Sequence, residues 1–174
     1  MNRSQTDVRT LAITAIMIAL VAVITRFVVV PIGTGFFNFS DVAIYFTAFA
    51  FGPWVGLVAG GVGAALADIS LGYTQFAILT FLAHGLEGLV AGYVGRDQTM
   101  PRMVAGWALG AVTMVGLYFL GEALVPVLGG LPQAVSELPW NVLQNIGGGI
   151  IGIALVLAVR RAYPPVSRFG PGRS

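Results

Sequence analysis

Thr80, His84 and Glu87 recur at i, i+4 and i+7, a spacing that sets a hydroxyl, an imidazole and a carboxyl on one face of a helix. Such a face can pair with itself, exchange a proton or hold a ligand. It does not fill a metal shell, because two ligands on one helix leave positions open in a chain with no cysteine and a single histidine. Asp68, Tyr118 and Glu122 add a phenol and two more carboxyls, while Asn141, Gln144 and Asn145 place three amides on one face beside Trp140. Amides both donate and accept hydrogen bonds, which suits a neutral heteroaromatic or amide-bearing ligand better than a simple ion.

The elements that carry these groups are strongly apolar. The chain has 174 residues, 57% hydrophobic and 9% charged, against about 25% charged in soluble proteins. Its nine basic residues are all arginine, and with seven acids they are too few to cover a water-facing globule. The expected fold is an all-α integral membrane protein with membrane lipid as its solvent. A hydrocarbon core of about 30 Å needs roughly 20 helical residues. Six segments answer, at about 8–30, 41–52, 53–71, 74–94, 103–125 and 140–159, forming one domain over 1–174 with a polar tail at 160–174. The first has no A-x-A cleavage site and is expected to be retained. The second starts after the cap candidate Ser40, carries Asp41 in its first turn and ends at Gly52-Pro53, too short to span alone. The third and fourth are separated only by Gly72 and Tyr73, so they pack as antiparallel neighbours. A Pro/Gly-rich loop at 126–139 precedes the sixth.

Arg3, Arg9, Arg96, Arg102, Arg160, Arg161, Arg168 and Arg173 fall on one side of this frame, and only Arg26 does not. Positive residues mark the cytoplasmic face, so both termini are expected inside and the 27–40, 72–73 and 126–139 connections outside. His84, ten residues past Thr74, then lies about 15 Å deep. Asp68, Tyr73, Tyr118, Glu122, Asn141, Gln144 and Asn145 gather in the outer half. Ionisable groups at depth must be paired, hydrated or functional. The stretch Pro31 to Ser40 must dip toward the membrane, which irregular backbone tolerates only beside protein or a water-filled cavity. Gly33, Gly35, Phe36, Phe37 and Asn38 are therefore expected to form a lid whose phenylalanines stack on a flat solute, over a small outward-facing pocket.

Helices in lipid associate through close backbone approach. Gly56, Gly60 and Gly63 on the third segment, Gly85, Gly88 and Gly92 on the fourth, and Gly147 to Gly149 with Gly152 on the sixth permit it. Ala12, Ala15, Ala19 and Ala22 draw one stripe along the first segment, either an inner packing face or a docking surface for a second membrane protein. The chain lacks a G-x-x-x-x-G-K-[ST] phosphate loop and any lysine to build one, so ATP-driven transport would need an external motor. Ion coupling through Asp68, His84 or Glu87 is the alternative, making the chain a self-sufficient secondary transporter. No G-x-S-x-G elbow or H-E-x-x-H helix is present, so no enzyme, cofactor or nucleic-acid partner is expected.

The chain resembles the substrate-binding S components of energy-coupling-factor (ECF) vitamin transporters, in particular the riboflavin-type branch. The resemblance covers nearly its whole length. It rests on Ala15-x-x-x-Ala19, on the run from Asn38 through Phe51-Gly52-Pro53, on Ala67-Asp68 followed by Gly72-Tyr73, on His84-Gly85-Leu86-Glu87-Gly88, and on Pro139-Trp140-Asn141-Val142-Leu143-Gln144. His84 stands where relatives often carry lysine. The resemblance implies capture of a small vitamin or precursor of riboflavin, hydroxymethylpyrimidine or pyridoxine type at a prokaryotic cell membrane. It implies assembly with a T component and two cytoplasmic ATPases, with the alanine face as the coupling surface. Carried over by position, the ligand contacts are Asn141 and Gln144 with lid residues Gly35, Phe36, Phe37 and Asn38.

Overall fold

The computed structural model describes residues 3–32 and 35–164, with side chains described over 8–31 and 36–164. Gly33 of the expected lid and residues 165–174 of the expected tail lie outside the described residues. Six α-helices make up nearly all of the described chain: α1 (Arg3–Phe27), α2 (Ser40–Phe51), α3 (Pro53–Leu71), α4 (Ala77–Val94), α5 (Met100–Leu124) and α6 (Gly130–Ala162). Two short strands, β1 (Val30–Ile32) and β2 (Gly35–Phe37), pair antiparallel with Val30 opposite Phe37 and Ile32 opposite Gly35. Single 3₁₀ turns precede α4 (Thr74–Phe76) and α6 (Pro126–Leu128).

The polarity of the molecule is reversed relative to a water-soluble fold. Ile78, Leu124, Val112 and Leu11 are exposed, while Asp41, Glu87, Glu122, Asn145, His84 and Asp68 are buried. Lipid solvates the former, and the interior must satisfy the latter. Five helices are long and apolar enough to cross a membrane; α2, with 12 residues, is not. Ten of those twelve are buried, so α2 is sheathed by protein instead of lipid. It divides the core: Ala43 and Ile44 pack with Met17 and Val21 of α1 and Val55, Ala59 and Ala64 of α3. Tyr45, Ala48 and Phe49 pack with Ala91, Met103, Ile153 and Val156.

Glycine sets the separation of α3 and α4. A Cβ added at Gly60 would lie 2.6 Å from the carbonyl oxygen of His84, so only hydrogen lets α3 approach the backbone that carries the imidazole. Gly72 ends α3 with φ 89°, its N–H bonded to Ile69 O at 3.3 Å, while Tyr73 N–H reaches Asp68 O at 2.9 Å. This is a Schellman closure, and it fixes Tyr73 against the helix end that carries Asp68.

Several expected boundaries differ. The first outer connection is a hairpin, so α1 ends at Phe27 and not near 30. Phe39 occupies the N-cap of α2, and the Ser40 N–H is taken by Asn38 Oδ1 at 2.6 Å in place of a Ser40 cap. α6 begins at Gly130, ten residues before the expected 140, and Pro139 lies inside it. Pro132 sits in the first turn, where its missing N–H has no intrahelical partner to lose, and Pro139 removes a single bond of a long helix. Thirty-three residues at 1.5 Å each give roughly 50 Å, enough to extend past a hydrocarbon core of about 30 Å.

The two ends of the bundle are chemically distinct. At one, Arg160 Nη1 donates to Gln98 O at 3.2 Å and Gln98 Nε2 donates to Phe49 O at 2.9 Å, tying the ends of α6 and α2 to the α4–α5 link. The hairpin lies at the other.

Candidate ligand-binding site

Beneath the hairpin a cavity enters the bundle, with about 420 Å³ of empty space including its opening to solvent. Phe36 and Asn38 line it from β2 and the residue following it, and Asp68 and Tyr73 from the end of α3. His84 of α4, Tyr118 of α5, and Asn141 and Gln144 of α6 complete the expected residues that meet there. The walls also include Thr25 and Ala64, Phe76 and Thr80, and Met114 and Glu137. Thr80 was recognised in the sequence only as a neighbour of His84. Glu137 was assigned to a loop, and Thr25, Phe76 and Met114 carry no signal that separates them from other residues of apolar spans.

Aromatic faces and polar groups alternate around this space. The Phe36 and Tyr73 rings are 4.9 Å apart and tilted by 53°, and the His84 and Tyr118 rings meet edge to face at 5.6 Å. Tyr118 donates its hydroxyl proton to Thr80 Oγ1 at 2.8 Å, and Thr80 lines the cavity beside Asp68. Asp68 Oδ2 is buried without a hydrogen-bond partner.

Below the lid a continuous polar chain runs inward. Asn38 N–H donates to Gln144 Oε1 at 3.0 Å, and Gln144 Nε2 donates to Asp41 Oδ1 at 3.1 Å. Ser40 Oγ donates to the same Asp41 oxygen at 3.1 Å. His84 Nδ1 lies 3.5 Å from Asp41 Oδ1 and 2.9 Å from Glu87 Oε2. Asp41, His84 and Glu87 are the described residues whose ligand atoms cluster most like a metal set, within 4.8 Å of one another. The direct His84–Glu87 contact pairs the imidazole with one oxygen of Glu87.

Other expected site residues stand apart from the cavity wall. Asn145 is buried among the helices, where its side chain accepts from the Tyr45 hydroxyl and donates to Met114 Sδ at 3.3 Å. Its carbonyl accepts from Trp107 Nε1 at 2.9 Å. Asn145 follows Gln144 by about 100° of helical rotation, which turns it from the cavity into the bundle. Phe37 packs against Phe39 and Trp140, at 5.4 and 6.5 Å, and so fastens the hairpin to α6. Glu122 is fully buried beside Glu137, whose carboxyl also accepts from Gln133 Nε2. Gly35 contributes backbone to β2. The alanine stripe lies on the outside of α1: Ala12, Ala15 and Ala19 are exposed and Ala22 is half-buried.

Comparison with known proteins bears on what this architecture is. The profile of the ECF-type riboflavin transporter S component family matches residues 5–161. An uncharacterised protein of Pyrococcus woesei is 37% identical over 139 residues, covering 79% of this chain and 90% of that one. The thiamine precursor transporter HmpT of Lactococcus lactis subsp. cremoris (strain MG1363) is 28% identical over 158 residues, 89% of this chain and 90% of its own. A solved structure of the S component of a bacterial ECF transporter superposes with a TM-score of 0.74 at 23% identity, covering 90% of this chain and 98% of the other. That likeness speaks to the fold, and the sequence match speaks to the family. A bundle of apolar helices around a polar cavity is thereby explained: this multi-pass protein of the prokaryotic plasma membrane belongs to the ECF-type riboflavin transporter S components, subunits that bind a vitamin or its precursor for transport and are not enzymes.

Proposed function

We propose that this chain captures a small water-soluble vitamin or precursor, of riboflavin, hydroxymethylpyrimidine or pyridoxine type, in the cavity under the hairpin, and delivers it to an ATP-driven motor. The observation that carries the reading is the lining of the cavity: the Phe36, Tyr73 and Phe76 rings, with Asn141 and Gln144 among its polar groups. Rings with a few convergent polar atoms are what a flat heteroaromatic solute requires. The relative HmpT, a thiamine precursor transporter, supports the pyrimidine end of this range, and the family profile the flavin end.

The hairpin end is taken to face outward, because the arginines of the described chain concentrate at the other end. With no lysine and no phosphate loop of its own, the chain depends on a partner for energy. The exposed Ala12, Ala15 and Ala19 offer a smooth helical face on which a T component carrying two ATPases can seat. The experiment is uptake of the copurifying small molecule, identified by mass spectrometry, in cells with and without an ECF motor. Motor-dependent uptake supports this reading. Robust ion-driven uptake without a motor would instead make the chain a self-sufficient carrier working through Asp68, His84 or Glu87.

A further inference from the structure

We propose that the cavity selects its ligand by charge and donor pattern: Asp68 receives an N–H from an amino-substituted, neutral or singly cationic nitrogen heteroaromatic, and phosphorylated or otherwise anionic forms are rejected. This rests on the reading of the cavity as a vitamin site and narrows its ligand class. Asp68 is 3% exposed, lines the cavity, and holds Oδ2 without a partner. A buried acceptor left open costs stability unless something bound supplies a proton donor. Thr80, held by the Tyr118 hydroxyl, lies beside the same carboxyl on the cavity wall.

The remaining walls reinforce the same sign. Glu137 contributes a second carboxyl, and among the described residues neither lysine nor arginine lines the cavity. Its one imidazole is held by Glu87 and Asp41, so it offers no free cation to an anion. The Phe36, Tyr73 and Phe76 rings present π-faces, which attract positive and repel negative charge. In a site screened from water these preferences are stronger than at a surface. An exocyclic amine or a protonated ring nitrogen meets every one of them. A phosphate meets none.

The test is binding to the full chain in nanodiscs, read by isothermal titration with four probes: 4-amino-5-hydroxymethyl-2-methylpyrimidine, thiamine, riboflavin and flavin mononucleotide. The wild type should bind an amino-bearing probe more tightly than riboflavin and should not bind the mononucleotide. Asp68→Asn should weaken the amino-bearing probe by at least about tenfold, since a charge-assisted hydrogen bond is lost, and should weaken it more than it weakens riboflavin. Asp68→Glu, which keeps the charge, should retain the order of preference. Equal affinity of Asp68→Asn and wild type for the aminopyrimidine, or a wild type that prefers riboflavin or its phosphate, overturns the inference and leaves the vitamin-binding reading standing. Absence of binding by all four overturns the inference, and absence of pyridoxine binding as well removes the vitamin-binding reading. Should Asp68→Asn fail to fold, the wild-type ranking and Asp68→Glu decide the matter alone.

Discussion

The backbone N–H of Asn38 donates to the side-chain oxygen of Gln144 across 3.0 Å of space and 106 residues of sequence. The same amide donates to Asp41 from its other end, so one side chain joins the base of the hairpin, α6 and the start of α2. Gln144 is therefore a strut of the lid as well as part of the cavity wall. Gln144→Leu leaves the buried Asn38 N–H without its partner, which costs about 1–3 kcal/mol. We expect ligand affinity to fall by about tenfold or more, with faster hydrogen exchange at Asn38. Unchanged exchange there would show that the lid is held by other means.

Asn141, one turn earlier on the same face, lines the cavity. Asn141→Leu is expected to weaken ligand binding in titration calorimetry while hydrogen exchange at Asn38 stays as in the wild type. Full affinity in both the Asn141 and Gln144 variants would remove α6 from the site.

Phe36 and Phe37 are neighbours in sequence but sit on opposite faces of β2, as strand geometry demands. Phe36 closes over the cavity against Tyr73, whereas Phe37 packs on Trp140. Phe36→Ala should raise the ligand dissociation rate much more than it slows association, since the ring covers a solute already bound. Stopped-flow fluorescence measures both. Equal changes in the two rates would argue that Phe36 shapes entry instead of closure.

Hydropathy made the bundle legible, because a stretch of about twenty apolar residues has few physical alternatives. The shortness of α2 was equally plain from Gly52-Pro53, and Gly72 marked the turn that places Tyr73. The hairpin was not legible, because strands of three residues are too short to show a periodicity. Nor was the start of α6, since Gly129, Gly130, Pro132 and Pro139 all read as breakers, while tertiary packing of Gln133, Ala134 and Glu137 sustains the helix through them. Losing that stretch to a loop hid Glu137 from the site. The amide triplet was misleading in a different way. Residues at i and i+1 diverge by about 100°, so Gln144 can reach the cavity only if Asn145 turns toward Tyr45 and Met114.

Gly60 separates the two helices that carry Asp68 and His84. A methyl group there would come within 2.6 Å of the His84 carbonyl, backbone against backbone, whereas one at Gly116 meets nothing within 4 Å. Gly60→Ala should therefore destabilise by about 1–3 kcal/mol, the usual range for overpacking, and lower ligand affinity by moving the imidazole. Gly116→Ala should melt at or slightly above the wild-type temperature, because alanine is the better helix former. Thermal denaturation in detergent compares the pair. Equal melting temperatures would mean that α3 and α4 have room to separate.

Ala12, Ala15 and Ala19 form an exposed stripe on α1, and the side chains that anchor this helix to the bundle, Met17 and Val21, point the other way. A bulky residue on the stripe touches nothing inside the subunit. Ala15→Trp and Ala19→Trp should thus leave melting temperature and ligand affinity unchanged while weakening copurification with a T component and slowing motor-driven uptake. The separation of the two readouts is what identifies a docking face, because a stripe that packed only against lipid would accept tryptophan without loss of either. Reduced affinity together with reduced uptake would instead mean that α1 is coupled to the cavity, through Thr25 at its far end.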